Sequence, residues 1–199
     1  MSDIKEIPAI WIGGGTCGGC SVSVLNTVAP SIKHLLIDEV VPGRHISLRF
    51  HTNISAGSGD PVIGAIEDTG QKHEGQFLLI VEGVVPTADG GVYCAVGERD
   101  EEPIPFYQWV VELGRKAMAV VALGTCSSFG GIPGARPNPT GVKSLREIFK
   151  GEGIATPLIN VPGCPPHPDW FVGTVAKLLL TGLPKDGDLD DLLRPKEFY

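Results

Sequence analysis

The sequence predicts a doubly wound α/β domain, in which helices cover both faces of a parallel β-sheet. Two observations support this prediction. Short apolar runs of strand length recur along the 199 residues, and segments with helical spacing of apolar residues alternate with them. Hydrophobic residues make up 42% of the chain and charged residues 20%, which is an ordinary balance for a protein with a buried core.

Five apolar runs have the composition of strands buried on both faces. Glycine, proline or polar residues bound them, and the runs are residues 7–12, 46–51, 77–81, 117–123 and 157–161. The helical segments between them are residues 22–37, interrupted by Pro30, and residues 61–68, 105–116, 142–150 and 169–180. Strands that alternate with helices in this way favour a flavodoxin-like topology of about five strands.

The composition changes after residue 184. Residues 185–191 are polar and acidic, and the sequence ends on the aromatic pair Phe198 and Tyr199. We therefore expect one domain of residues 1–184, followed by a C-terminal tail of residues 185–199. The two aromatic side chains are expected to pack on a partner or to lead into a further domain.

The net charge of −7 argues against a nucleic-acid-binding protein, because phosphate binding needs clustered Lys and Arg. The longest apolar stretch, residues 117–123, is too short to span a bilayer. Residues 1–6 carry neither an apolar export segment nor a twin arginine, so we expect a cytoplasmic protein, with any contact to the cytoplasmic face of a membrane made through partners. In that compartment five cysteines indicate ligands, catalytic thiols or core residues rather than disulfides.

Four of the cysteines follow predicted strands. Cys17 and Cys20 come after the first strand, Cys126 after the fourth and Cys164 after the fifth. Because parallel strands end at one edge of a sheet, we expect these thiols to meet where α/β folds bind their ligands. Four cysteines at one point suit a zinc ion or an iron–sulfur cluster. One C-x-x-C pair joined by two single cysteines, with Pro165 after the last, favours the cluster.

Two other interpretations of the first loop stay open. A single C-x-x-C between a strand and a helix also suits a thioredoxin-like dithiol, although it leaves the two later cysteines unexplained. Gly13, Gly15 and Gly18 satisfy the G-x-G-x-x-G pattern, and Asp38 lies near the spacing of a ribose-binding acid. A dinucleotide-binding oxidoreductase domain is therefore the main rival.

Three further residues have ordinary structural interpretations. Glu82 ends the third strand on the same edge, where it either orients a loop through hydrogen bonds or faces the ligand site. His167 is expected to begin a helix rather than to be a ligand. Cys94 has no strand-end position, and we expect it to be a small buried residue.

Six motifs along the chain together resemble one family. They are Trp-Ile-Gly at 11–13, Cys-Gly-Gly-Cys-Ser at 17–21, Val-Glu-Gly at 81–83, Gly-Thr-Cys-Ser-Ser-Phe-Gly-Gly at 124–131, Arg-Pro-Asn-Pro-Thr-Gly at 136–141 and Pro-Gly-Cys-Pro-Pro at 162–166. Over residues 8–184 the chain thereby resembles the small subunit of a nickel–iron hydrogenase. A related subunit of respiratory complex I carries adjacent cysteines at the first site, and the spaced Cys17 and Cys20 argue against that assignment.

The resemblance implies a domain that holds the cluster nearest to the nickel–iron site of a separate large subunit. It assigns the ligands to Cys17, Cys20, Cys126 and Cys164, with a [4Fe–4S] cluster expected and a [3Fe–4S] cluster as the alternative. The implied activity is that of a hydrogenase, with this chain as the electron-transfer subunit of an obligate heterodimer within a larger heteromeric assembly. A free-standing iron–sulfur electron carrier is the remaining alternative.

The chain departs from this family at both ends. Typical small subunits continue into a C-terminal domain with two more clusters, and many begin with a twin-arginine signal. We therefore expect either a naturally short form or a piece of a longer protein, on the cytoplasmic side.

Overall fold

The computed structural model describes residues 5–28, 31, 33–34 and 43–199. Its central sheet consists of five parallel strands, which are β1 (Lys5–Gly13), β2 (Arg44–His51), β3 (Leu78–Glu82), β4 (Ala119–Leu123) and β5 (Leu158–Val161). The strands lie side by side in the order β2-β1-β3-β4-β5. This is the flavodoxin-like order, so the predicted fold class is confirmed.

Strand register places the ends of four strands at the same level. Gly13 pairs with Glu82, Glu82 pairs with Leu123, and Leu123 pairs with Val161. The loops that follow β1, β3, β4 and β5 therefore leave the sheet from one edge, which is where doubly wound folds place their sites.

Helices cover both faces of the sheet. They are α1 (Gly19–Leu25), α2 (Asp60–Lys72), α3 (Phe106–Lys116), α4 (Gly124–Phe129), α5 (Leu145–Glu152) and α6 (Pro168–Thr181). Successive side chains of a strand point to opposite faces, so Ile10 and Ile12 pack with α2, α3 and α5, while Ala9 and Trp11 pack with α1 and α6. Among the described residues no helix is both long and apolar enough to cross a membrane.

Three predicted helices have different boundaries. The segment predicted as 61–68 is α2, which continues to Lys72. The segment predicted from residue 142 begins its helix at Leu145, because Val142–Lys143 pairs with Val85–Pro86 as a short antiparallel ribbon. Ser144 then caps α5: its hydroxyl accepts from the amide of Glu147, whose carboxylate accepts in return from the Ser144 amide at 2.8 Å. The segment predicted as 22–37 contains α1 at its start, and much of its remainder lies outside the described residues.

An exposed antiparallel ribbon, absent from the sequence prediction, joins Ala95–Arg99 to Glu102–Pro105. Gly, Pro and charged residues interrupt both short segments, so no apolar periodicity marked them as strands.

The tail beyond residue 184 lies against the rest of the chain. Phe198 packs on Gly173 of α6, and the ring of Tyr199 contacts Trp170 of the same helix with centroids 4.9 Å apart. The two aromatic side chains that were expected on a partner thus contact their own domain. The division of the chain at residue 184 stays a prediction.

Candidate metal centre

Loops at the carboxyl edge of the sheet bring four cysteines together. Cys17 lies in the loop after β1 and Cys20 in the first turn of α1, while Cys126 lies in α4 directly after β4 and Cys164 follows β5. The thiols of Cys17, Cys126 and Cys164 are all close enough to that of Cys20 to raise its pKa. Cys17 and Cys164 are exposed, and the other two are half-buried.

Two glycines let the backbone approach the thiols. Gly124 has φ +89°, and a Cβ at this position would lie 2.5 Å from the Cys20 sulfur. Gly131 has φ +58°, and its Cβ would lie 2.9 Å from the Cys126 sulfur. Both positions need the backbone freedom of glycine and leave no space for a side chain. The backbone therefore packs closely against the sulfur atoms of Cys20 and Cys126.

Glu82, at the end of β3, is a buried carboxylate beside the thiols. It accepts from the indole of Trp11 at 3.0 Å, from the hydroxyl of Thr16 at 3.0 Å, and from the hydroxyl and amide of Ser21 at 2.5 and 3.4 Å. These bonds tie β1, the first cysteine loop and α1 to one group. Glu82 therefore both holds the loop and faces the site, and its charge raises the pKa values of Cys20 and Cys126.

His51, the last residue of β2, is a site residue that the sequence reasoning missed. Its Nδ1 accepts from the amide of Asn53 at 3.0 Å, so the hydrogen bonds assign the proton to Nε2, which lies 3.3 Å from the hydroxyl of Ser21. Burial lowers the pKa of His51, and the nearby Glu82 opposes this effect. The signal that could have found it is its position, at the end of a predicted strand on the cysteine-bearing edge.

Burial is the largest cause of the raised thiol pKa values at this site. It raises the pKa of Cys20 to about 12, with Glu82 and the other three cysteines adding to the shift, and it also raises the pKa of Cys126. Thiolates that repel one another and a nearby carboxylate are stabilised by a cationic centre, whose binding releases their protons. The donor set therefore fits a metal group.

Within the described part of the chain, no three His, Cys, Asp or Glu side chains are grouped closely enough to hold a single metal ion. Zinc bound by four cysteines needs all four sulfurs at about 2.3 Å from one point. Four cysteine thiolates are also the usual ligands of an iron–sulfur cluster.

The first loop does not have the free amides of a dinucleotide-binding loop. The amides of Gly14 and Gly15 donate to carbonyls of β3 and the segment after it, at 2.9 and 3.2 Å, and the Gly18 amide donates within the loop at 3.0 Å. A pyrophosphate needs such amides to point outwards. Asp38, the acid that this interpretation requires, lies outside the described residues.

Cys94 is half-buried rather than fully buried as expected, and His167 lies at the start of a helix as its sequence context indicated. Cys94 packs against the core, and burial alone raises its pKa, with no contribution from another thiol. His167 begins α6, where its Nδ1 accepts from the Asp169 amide at 3.3 Å.

Comparison with known proteins gives consistent relatives. A family model described as NADH ubiquinone oxidoreductase, 20 Kd subunit, matches residues 17–178. The periplasmic [NiFeSe] hydrogenase small subunit of Desulfomicrobium baculatum is 46% identical over 176 residues, which are 86% of this chain and 54% of that protein. The hydrogenase-2 small chain of Escherichia coli (strain K12) is 36% identical over 199 residues, covering 100% of this chain and 49% of the relative. The chain thus spans about half the length of the curated relatives that it matches.

Solved structures agree with these sequence matches. The reduced, active Ni-Fe-Se hydrogenase from Desulfomicrobium baculatum superposes with a TM-score of 0.86 at 44% identity, over 96% of this chain and 70% of that one. The oxidised recombinant [NiFeSe] hydrogenase from Desulfovibrio vulgaris Hildenborough superposes with a TM-score of 0.88 at 38% identity, over 98% and 70%. The chain therefore belongs to the family of the NADH ubiquinone oxidoreductase 20 Kd subunit and, within it, to the small subunits of nickel–iron hydrogenases.

Proposed function

We propose that this chain is the electron-transfer subunit of a hydrogenase and holds an iron–sulfur cluster on Cys17, Cys20, Cys126 and Cys164. The observation that carries the proposal is the meeting of four thiols, from three separate loops, at the carboxyl edge of the sheet. The relatives' names, which are those of hydrogenase small subunits, support the same assignment.

Family membership implies an iron–sulfur cluster, and our finer proposal is a [4Fe–4S] rather than a [3Fe–4S] cluster. Four cysteine thiolates are the usual ligand set of the four-iron form. When bound, such a cluster supplies one-electron transfer. The chain's own residues hold the thiols: Gly124 and Gly131 bring the backbone against them, and Glu82 fixes the first cysteine loop from below.

The proposed reaction of the whole enzyme is H2 ⇌ 2 H+ + 2 e−, with H2 cleaved on a nickel–iron centre in a large subunit. This chain would accept the electrons. We propose that the large subunit docks over the cysteine-bearing edge. Support comes from the exposed thiols of Cys17 and Cys164 and from two exposed apolar side chains next to Cys126, namely Phe129 and Ile132, which are 44% and 87% exposed. Apolar surface of this kind is typical of permanent interfaces.

The metal content of anaerobically purified protein tests the proposal. We expect about four iron and four sulfide per chain, no stoichiometric zinc, and a low-temperature EPR signal after reduction. Zinc in place of iron would refute the cluster, because four thiolates bound to one zinc ion leave no ligands for an iron–sulfur cluster. Tight binding of NAD, NADP or a flavin, lost in a Gly15→Val variant, would instead support the dinucleotide-binding alternative.

The location of the protein belongs to the same proposal. The cytoplasmic location predicted from residues 1–6 stays a prediction, and one relative is named as a periplasmic protein. Fractionation of the native host, followed by detection of this chain in each fraction, would decide between the two compartments.

A further inference from the structure

The loop that carries Cys164 has few amides with which to be held. Three of the five residues at positions 162–166 are proline and have no N–H. The amide of Gly163 donates to the hydroxyl of Thr125 at 3.1 Å, and three carbonyl oxygens of the loop supply further hydrogen bonds. That of Gly163 accepts from the backbone of α4 at 2.9 Å, and that of Pro166 accepts from a serine of α1 at 2.8 Å. The third, that of Pro162, accepts from the hydroxyl of Tyr199 at 2.6 Å.

Tyr199 is itself held in place by two neighbouring side chains. Its ring meets the ring of Trp170 at an angle of 62°, and the guanidinium of Arg194 lies 5.1 Å from its centroid. The adjacent Phe198 fills the space over Gly173, where a Cβ would lie 2.5 Å from the phenyl ring. Burial raises the pKa of the Tyr199 hydroxyl, so it stays a protonated donor.

The C-terminal strap, defined here as residues 188–199, is fastened to the edge strand β5. Asn160 of β5 is fully buried, and its amide and side-chain nitrogen donate to the carbonyls of Leu193 and Leu192, both at 2.8 Å. Its Oδ1 has no hydrogen-bond partner among the described residues, which is costly in a buried position. The ion pair of Asp190 with Arg194, at 2.6 Å, closes the turn of the strap. The strap thus accounts for a polar side chain in an otherwise apolar strand.

The Cys164 loop is tight enough to transmit a displacement. Gly163 has φ +145°, and a Cβ at this position would lie 2.3 Å from the Cα of Pro166. The first carbonyl of the loop and the cysteine two residues later therefore belong to one closely folded unit. We therefore expect a shift of Pro162 to move the Cys164 sulfur.

We propose that Tyr199 is a positioning residue for Cys164, and that the C-terminal strap sets the geometry of this ligand through the hydrogen bond from Tyr199 to Pro162. The inference rests on the proposed function, since it takes Cys164 as a ligand of the cluster. It adds that a segment distant in sequence from every cysteine sets the position of one of the four proposed ligands.

The test compares two tyrosine variants that each lose one hydroxyl. Tyr199→Phe removes the bond to Pro162. Tyr107→Phe is the matched control, because the Tyr107 hydroxyl donates to a carboxylate of α5 at 2.5 Å, between two helices of the opposite face. The measurements on each purified protein are the EPR spectrum, the cluster reduction potential, the rate of iron loss to a chelator, and Tm.

We expect Tyr199→Phe to shift the EPR signal and the potential, and to speed iron loss about fivefold, as the loss of one net hydrogen bond would. Both variants should lower Tm by a similar amount, because each loses one hydrogen bond. Tyr107→Phe should leave the cluster signals unchanged. Tyr199→Leu, which also removes the ring, should enlarge each effect.

Identical cluster properties in wild type, Tyr199→Phe and Tyr199→Leu would overturn the role of the strap and leave the proposed function intact. A parallel change in the Tyr107→Phe control would also overturn it, because the effect would then be one of general stability. Wild-type protein without iron would overturn both proposals together.

Discussion

At the scale of single residues, the candidate site combines four thiols with one buried carboxylate. Glu82 is 1% exposed and accepts from four donor groups, as an ionised carboxylate does. A buried negative charge beside the ligands of a redox centre favours its oxidised state. Glu82 therefore has an electrostatic effect on the site in addition to its hydrogen bonds.

Replacing Glu82 by Gln should raise the reduction potential of the proposed cluster. Gln has nearly the shape of Glu but carries no charge, so the reduced state of the cluster becomes more stable. The reduction potential should rise by on the order of tens of millivolts for a charge several ångströms away. Potentiometric titration followed by EPR measures the shift. Glu67→Gln, in the exposed ion-pair network of α2, is the control and should leave the potential unchanged. A fall in potential in Glu82→Gln would contradict the expectation.

The four candidate ligands should respond differently from the fifth cysteine. Cys126→Ser replaces a proposed ligand and should reduce or convert the cluster, with at least part of the iron lost. Cys94→Ser should keep iron near the wild-type value, because Cys94 packs against the core away from the other thiols. Iron analysis with EPR distinguishes the two. Normal iron in Cys126→Ser together with loss in Cys94→Ser would refute the assignment.

At the scale of elements, the turn from β4 into α4 is where backbone geometry matters most. Gly124 combines a positive φ with a thiol directly beside it, whereas Gly90 has a φ of +75° and no atom within 4 Å of its Cβ position. The two glycines share a positive φ, which would strain any other residue, and differ in contact with the site. Substitution of each glycine therefore separates the effect of backbone strain from that of steric overlap with the thiol.

Gly124→Ala should destabilise the fold by about 1–3 kcal/mol and also lower the cluster content, because the new methyl group displaces Cys20. Gly90→Ala should carry only the cost of strain, about 1 kcal/mol, and keep its cluster. Denaturant titration and iron analysis check the two effects separately. Full cluster content in Gly124→Ala would show that the Cys20 thiol moves without consequence.

At the scale of the whole molecule, the cysteine-bearing edge of the sheet and the opposite edge each carry an exposed apolar side chain. Ile132 lies close to Cys126 and is 87% exposed, whereas Leu180 is 57% exposed near the end of α6. Because α6 runs back from the end of β5, its last turn lies at the far edge of the sheet. The two residues allow an apolar side chain at each edge to be compared.

Ile132→Lys should weaken binding of the proposed large subunit by about tenfold or more, since a charge would enter an apolar interface. Leu180→Lys should bind like wild type. Co-purification from the native host, with nickel analysis of the complex, measures the difference. A stable monomer with an intact cluster and no nickel-containing companion would favour the free-standing electron carrier.

The sequence predicted the sheet and the position of each cysteine along it with little error. Strands buried on both faces appear as unbroken apolar runs, and parallel strands end at one edge, so residues 17, 20, 126 and 164 could be placed together without coordinates. The observed helix boundaries differ more from the predicted ones. The start of α5 at Leu145 depends on a ribbon between Val142–Lys143 and Val85–Pro86, and pairing between distant segments leaves no local signal.

The sequence by itself determined the fold class and the convergence of four thiols, because both follow from local periodicity and from the direction of parallel strands. Only the tertiary structure decided which groups surround those thiols. His51 reaches Ser21, Glu82 gathers donors from three segments, and Tyr199 reaches Pro162, although each pair is far apart in the chain. The physical reason is that such contacts depend on side-chain packing across layers. The spacing of residues along the chain does not encode this packing.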